Sequence, residues 1–136
     1  MRRFRLDDKA SVSEARKLIR AELQQVGADS SLLFDCLVAV TEACTNALIH
    51  GTTGPDRSSP MLAWSIDEAK ARFHIEDYST EGWSRTNHPS RSAAATKIED
   101  LQVGGLGLGL IRDLMDEVDI EAAAGGTRVY LGKELC

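Results

Sequence analysis

A long helical segment that is apolar on almost every side limits how this chain can fold. The stretch ADSSLLFDCLVAVTEACTNALIHG, residues 28–51, predicts a helix that Asp29, Ser30 or Ser31 caps at its start and Gly51 ends. A helix that is apolar nearly all round must be covered on most sides. We therefore expect this helix to lie buried at the centre of the domain.

The segments around this helix predict a layered α+β domain. Apolar residues recur at three- and four-residue steps from Ser11 to about Val26, which predicts an amphipathic helix capped by Ser11 or Ser13 and ended by Gly27. Alternating runs predict an edge strand in RRFRL, a hairpin in MLAWSID and KARFHIED, and a terminal hairpin in VDIEAA and TRVYLGK. Together they predict a sandwich with a mostly antiparallel sheet.

Length and composition are those of one globular domain spanning residues 1–136. A chain of 136 residues can bury a sufficient core without a structural metal ion or disulfide bonds. The formal net charge of −5 argues against direct contact with nucleic acid. Cys36, Cys44 and Cys136 form no CxxC pattern, no secretory signal begins the chain, and no stretch approaches the roughly 20 apolar residues of a membrane helix. We expect a cytoplasmic protein with reduced thiols and no membrane contact.

Two polar residues interrupt the apolar helix at a spacing that favours a functional site. Glu42 and Asn46 lie four residues apart and share one helix face among apolar or small neighbours. Burying a carboxylate and an amide is unfavourable unless each has a partner, so the pair indicates a site. The same spacing also allows both side chains to face solvent or to cap nearby backbone groups.

A glycine-rich run, GGLGLGL from Gly104 to Leu110, directly precedes a predicted helix. Gly105, Gly107 and Gly109 allow close approach of a ligand to the backbone, and a helix N-terminus attracts anionic oxygens. The run therefore predicts a phosphate site, with a hinge packed by leucines as the alternative. It is not a P-loop, because no GK[ST] follows.

Three further features lie between and after these motifs. Asp77 ends a predicted strand, where its carboxylate could bind a base amino group or begin a turn. Periodicity then fails from Tyr78 to about Val103, and a loop of that length is usually functional. Thr127 follows the terminal turn, where its hydroxyl could face a pocket.

These motifs, in this order, resemble those of the GHKL ATPases. TEACTNALIHG is similar to their N-box, and GGLGLGL followed by LMDEVDI and GGTRVYLGK is similar to their second glycine box and the segments after it. The resemblance is closest to the anti-sigma-factor serine kinases and covers most of the chain from Asp35 to Lys133. It implies a two-layer Bergerat fold with helices on one face of a mixed, mostly antiparallel sheet and a lid over about 78–104.

The resemblance also implies roles for particular residues. It implies that ATP and Mg²⁺ bind, with Asn46 holding the Mg²⁺ and Glu42 acting as the catalytic base. Asp77 would bind the adenine amino group, and Thr127 would line the adenine end. The remaining nucleotide contacts implied are Gly82, Gly105, Leu106, Gly107, Leu108 and Gly109.

The family's first glycine box is altered in this sequence, which leaves two functions open. The segment reads DYSTEGW, with Ser79 in place of the first glycine, Gly82 one residue late and Trp83 in place of the aromatic residue. The first function is a serine kinase with a STAS-domain antagonist and a sigma factor as partners, in a family that often forms homodimers. The alternative is a non-catalytic module that binds nucleotide and sequesters a partner.

Overall fold

The protein folds as helices packed on one face of an antiparallel sheet. The computed structural model describes residues 1–51, 59–77, 107–123 and 126–136. In chain order the elements are β1 (Arg2–Arg5), α1 (Lys9–Gln25), α2 (Ser30–Gly51), β2 (Met61–Ile66), β3 (Lys70–Asp77), α3 (Gly107–Leu114), β4 (Glu117–Ala123) and β5 (Gly126–Glu134). This order confirms the α+β sandwich predicted from the sequence.

The sheet has the strand order β1-β2-β3-β5-β4. All four pairings among these strands are antiparallel, and both predicted hairpins are present. The central pairing of β3 with β5 joins the two hairpins and begins at Asp77 opposite Thr127. RRFRL forms the expected edge strand against β2.

One face of the sheet is buried beneath the helices, and the other carries charged side chains. The strand residues that point into the core alternate along the chain, as a period of two requires. They include Leu62, Trp64, Phe73, Ile75 and Leu131, each at most 1% exposed. Burial of one such side chain stabilises the fold by about 1.5–3 kcal/mol, so this face supplies much of the driving force.

The apolar helix α2 is central, as predicted. It contacts α1, α3, β3 and β5. Its burial is less complete than its composition suggested, because Phe34 is 60% exposed and Ile49 is 44% exposed. The segment Ser30–Ile49 is also long and apolar enough to cross a membrane, contrary to our expectation, although the core helix of a soluble protein meets the same criterion.

The helix ends agree with the sequence in part. Gly27 ends α1 with φ +85°, and the N–H groups of Gly27 and Ala28 donate to the carbonyls of Gln24 and Leu23. At the start of α1 the prediction was wrong, because the cap is Asp8. Its carboxylate accepts from the Ser11 N–H at 2.9 Å, and Ser11 completes a reciprocal capping box.

Candidate nucleotide-binding site

Three polar residues are buried among the residues that the structure describes: Asn46, Asp77 and Thr127, at 1%, 3% and 3% exposure. All three were singled out from the sequence as nucleotide-binding residues. They come from α2, β3 and β5, and α2 packs on both strands. A core that otherwise buries apolar side chains thus buries polar groups at the positions where a ligand was expected.

Asp77 and Thr127 are brought together by strand register. They are direct partners at the end of the β3–β5 pairing, fifty residues apart in the chain. Side chains of directly opposed residues in an antiparallel pair project to the same face of the sheet. Both side chains are buried, and therefore lie on the helix-covered face with the core residues.

Two of these side chains have no hydrogen-bond partner within the described part of the chain. The unpaired atoms are Oδ1 and Nδ2 of Asn46 and Oγ1 of Thr127. Leaving a buried polar group unpaired costs about 1–3 kcal/mol. Thr127 lies at the end of the β3–β5 pairing, and Asn46 lies on the helix that packs on both strands. These unpaired groups could bind a polar ligand.

Glu42 lies at the edge of this region. It is half-buried, and it lies one helical turn from Asn46 on the same helix. It also lines a groove between α1 and α2 with a volume of about 500 Å³. Glu42 therefore lies between the buried Asn46 and the external groove.

The described part of the glycine-rich run forms the start of α3. The helix begins at Gly107, with Leu108 buried and Gly109 half-buried. The predicted contacts Gly82, Gly105 and Leu106, the altered first glycine box after Asp77, and the lid expected over about 78–104 lie outside the described residues.

The amide oxygen of Asn46 fits the ligand preference of Mg²⁺. That ion takes oxygen ligands, and usually combines one or two protein oxygens with waters and substrate phosphates. Among the described residues, no group of three or more His, Cys, Asp or Glu side chains could hold a metal ion unaided. A magnesium ion here would therefore depend on the nucleotide for its other ligands.

The groove beside Glu42 is a feature that the sequence reasoning missed. Its walls include Arg16 and Arg20 of α1 and the exposed ring of Phe34 on α2. The sequence predicted that the whole helix is buried and gave no signal that Phe34 is an exception. Only the packing of α1 against α2 leaves this ring at the surface, near two cations.

The sequence matches the histidine kinase-like ATPase domain family over residues 6–133, and the chain belongs to that family. Within the family it belongs with the anti-sigma factors. It is 30% identical over 125 residues to the anti-sigma F factor of Bacillus cytotoxicus, covering 90% of this chain and 84% of that protein. The corresponding factor of Geobacillus stearothermophilus is 29% identical over 126 residues, with 91% and 84% covered.

Solved structures agree on the fold. The chain resembles the structure of the RsbU and RsbW domains of a Mycobacterium tuberculosis protein with a TM-score of 0.68 at 23% identity, covering 99% of this chain and 33% of that longer one. The SiaB–SiaC complex from Pseudomonas aeruginosa gives a TM-score of 0.66 at 16% identity, with 98% and 89% covered. At these identities the likeness establishes the Bergerat-type fold alone.

Proposed function

We propose that this protein is an ATP-dependent serine kinase that acts in the cytoplasm in a partner-switching system, where it phosphorylates a STAS-domain antagonist and sequesters a sigma factor. The observation that carries the proposal is the set of buried polar groups of Asn46, Asp77 and Thr127, two of them unpaired. Anti-sigma F factors among its relatives give the biological setting.

The nucleotide would lie with its base at the β3–β5 end and its phosphates at the start of α3. Asp77 would accept from the adenine amino group, with Thr127 beside it. The backbone N–H groups of the glycine run would bind phosphate oxygens, as helix N-termini do. A bound Mg²⁺ ion would supply charge neutralisation at the phosphates, and Asn46 is the residue that would hold it.

Glu42 would act as the general base in the transfer step. The proton of the antagonist's serine hydroxyl moves to the Glu42 carboxylate as the serine oxygen bonds to the γ-phosphorus. The bond from that phosphorus to the β–γ bridging oxygen breaks, and ADP leaves. Much of the rate enhancement in phosphoryl transfer comes from positioning and electrostatics, to which a base adds about 10²–10⁴-fold.

The groove between α1 and α2 would receive the antagonist. It reaches Glu42, so a protein bound there can present its serine to the base. Arg16 and Arg20 favour an acidic partner surface, and the exposed ring of Phe34 offers an apolar anchor. Aromatic and arginine side chains are the types that most often dominate binding energy at interfaces.

The kinase proposal predicts a selective effect of Glu42→Gln. Glutamine keeps the shape and a carbonyl oxygen but cannot accept the proton, so transfer should slow by about 10²–10⁴-fold while ATP affinity stays the same. The measurement is a single-turnover assay with γ-labelled ATP and a purified STAS-domain protein from the same genome. Glu68→Gln, in the exposed β2–β3 turn, is the matched control and should transfer at the wild-type rate.

If wild-type protein binds both ATP and the antagonist but transfers no phosphate, the kinase proposal is wrong. The non-catalytic sequestering module then becomes the function. Equal rates for wild type and Glu42→Gln would instead reject Glu42 as the base.

The docking proposal predicts that Phe34→Ser weakens antagonist binding by about tenfold or more, as expected for loss of an aromatic anchor. ATP affinity should not change, because the ring lies outside the nucleotide region. Ile49→Ser removes the other exposed large apolar residue of α2, which does not line the groove, and should bind the antagonist normally. Unchanged antagonist affinity in Phe34→Ser, measured by calorimetry, would exclude this groove as the docking site.

A further inference from the structure

A largely buried lysine connects three elements at the end of the domain away from the nucleotide region. Nζ of Lys133 donates to the carbonyl oxygen of Leu114 at 2.7 Å and lies 3.2 Å from Oδ2 of Asp35. The Lys133 side chain is only 12% exposed, and that of Asp35 is 23% exposed. One ammonium group on β5 therefore contacts both the end of α3 and the first part of α2.

Lys133 supplies a hydrogen-bond donor to the Leu114 carbonyl, which has no partner within its own helix. Leu114 is the last residue of α3, and the final carbonyls of a helix have no partner within the helix. A cation there also interacts favourably with the helix dipole. The following turn is fixed to the same strand, because the Asp116 N–H donates to the Gly132 carbonyl at 3.0 Å and the Glu134 N–H donates to the Asp116 carboxylate at 2.7 Å.

The two helices joined by Lys133 are those that carry the proposed phosphate and magnesium contacts. Helix α3 has eight residues, about 12 Å, between its glycine-rich start and Leu114. Asp35 precedes Asn46 by eleven residues of α2, about 16 Å. Lys133 follows Thr127 by six residues of β5, about 20 Å. Lys133 is too far away to touch the nucleotide, yet it fixes one end of a short rigid helix whose other end would bind phosphate.

We infer that Lys133, through the Leu114 carbonyl and the Asp35 carboxylate, is a positioning residue that sets the orientation of α3 relative to α2 for binding of the triphosphate. The inference rests on the proposed nucleotide site. Hydrogen bonds weaken steeply with misalignment, so a small rotation of α3 is enough to weaken the contacts at its start. The adenine end, at Asp77 and Thr127, lies at the other end of the same β3–β5 pairing from Lys133, and that pairing is formed by the backbone rather than by the lysine side chain.

If Lys133 positions α3, its removal should lower the affinity for ATP–Mg²⁺ but not the affinity for adenosine. A general loss of stability would lower both affinities. In Lys133→Met, ATP–Mg²⁺ affinity should fall by about tenfold or more, the size expected if rotation of α3 loses one hydrogen bond from its start to a phosphate oxygen. Adenosine affinity should stay within about twofold. Lys133→Arg keeps a cation able to reach both oxygens and should restore most of the ATP affinity. Lys70→Met is the matched control, because Lys70 is 19% exposed and pairs with Glu117 on the open sheet face.

A double variant separates positioning from removal of a buried charge. Lys133→Met alone leaves the Asp35 carboxylate without its cation, which can destabilise the fold. Asp35→Leu combined with Lys133→Met removes both charges, and replacing a buried ion pair with apolar residues is often neutral or stabilising. If Lys133 positions α3, the double variant regains melting temperature but not ATP affinity.

The experiment is calorimetric titration of the full chain with ATP–Mg²⁺ and with adenosine, together with melting curves for each variant. A selective loss for ATP that persists in the double variant and recovers in Lys133→Arg supports the inference. Parallel losses for ATP and adenosine, or full recovery of ATP affinity in the double variant, overturn it. Absence of ATP binding by wild-type protein overturns the proposed nucleotide site as well, so the two failures are distinguishable.

Discussion

At the scale of single residues, Asn46 is the side chain whose surroundings demand the most explanation. It is 1% exposed, and neither of its polar atoms has a hydrogen-bond partner in the described part of the chain. An apolar residue of similar size would avoid the cost of about 1–3 kcal/mol for each unpaired group. Such a cost is typical of a functional position, where stability is exchanged for a prepared ligand site.

We predict that Asn46→Ala removes the magnesium dependence of ATP binding. The amide oxygen is the protein ligand proposed for the ion, so its loss should leave ATP affinity the same with and without Mg²⁺. Thr127→Val likewise removes a buried polar group without a partner, in this case a hydroxyl. It should lower ATP affinity both with and without Mg²⁺ and keep the dependence on Mg²⁺. Calorimetry on wild type and both variants, each with Mg²⁺ or with a chelator, makes the comparison.

The two variants are matched because both residues are buried and both lose an unpaired polar group. If Asn46→Ala retains the wild-type response to Mg²⁺, the ion is held elsewhere and the assignment of Asn46 is wrong. If Thr127→Val abolishes the effect of Mg²⁺ on ATP affinity, the Thr127 hydroxyl rather than the Asn46 amide lies near the ion.

At the scale of helices and strands, the sequence predicted most of the fold because local patterns encode it. Period-two runs predicted β1 and both hairpins, three- to four-residue steps predicted α1, and the long apolar run with its end signals predicted α2. The cap of α1 was assigned wrongly because serine and aspartate are both good caps, and a reciprocal box makes Ser11 a partner of Asp8 rather than the cap itself. Local pattern does not distinguish these two roles.

The same correction leads to a prediction on stability. Asp8→Ala should lower the free energy of unfolding by about 0.5–2 kcal/mol, the usual cost of losing a cap. Asp8→Asn keeps a side-chain oxygen that can accept from the Ser11 N–H and should lose much less. Urea unfolding of the three proteins measures the differences, and an Asp8→Ala variant as stable as wild type would contradict the capping assignment.

Those parts of the candidate site that depend on contacts between distant segments could not be predicted. Nothing local to Phe34 shows that its ring stays exposed, because that depends on how α1 crosses α2. Nothing local to Lys133 shows that it reaches Asp35 and Leu114, 98 and 19 residues away in the chain. Asp77 and Thr127 were each named as candidates from the sequence, but only the register of β3 with β5 shows that they lie opposite each other.

At the scale of the whole molecule, the groups proposed to bind the nucleotide and the lysine proposed to position α3 lie at opposite ends of β5. The β3–β5 pairing ends at Asp77 and Thr127, two of the three buried polar residues described. At the other end of β5, Lys133 connects α2 and α3. Because α2 packs on β3 and β5 and on α1 and α3, a change at one end of the domain can alter geometry at the other through the shared core.

Helix α2 also carries two thiols that can report on this core as a unit. Cys36 and Cys44 are fully buried, and burial raises the pKa of each thiol to about 12. The thiolate is the reactive form, so a thiol reagent at pH 8 can modify these cysteines only when the core opens. Cys136 is exposed and serves as an internal reference in the same molecule.

We predict that ATP–Mg²⁺ at about 100 times its Kd slows modification of Cys36 and Cys44 by about 100-fold and leaves Cys136 unchanged. A ligand that binds only the folded state stabilises it by about 2.7 kcal/mol at that concentration. This free energy lowers the population of the open form by about 100-fold. Mass spectrometry of peptides after timed labelling measures the three rates, and labelling in urea should make them equal.

Rapid labelling of Cys44 in native protein would contradict the core described for α2. Unchanged rates for both buried thiols with nucleotide would mean that ATP does not distinguish the folded core from its open form, which the proposed buried site does not allow.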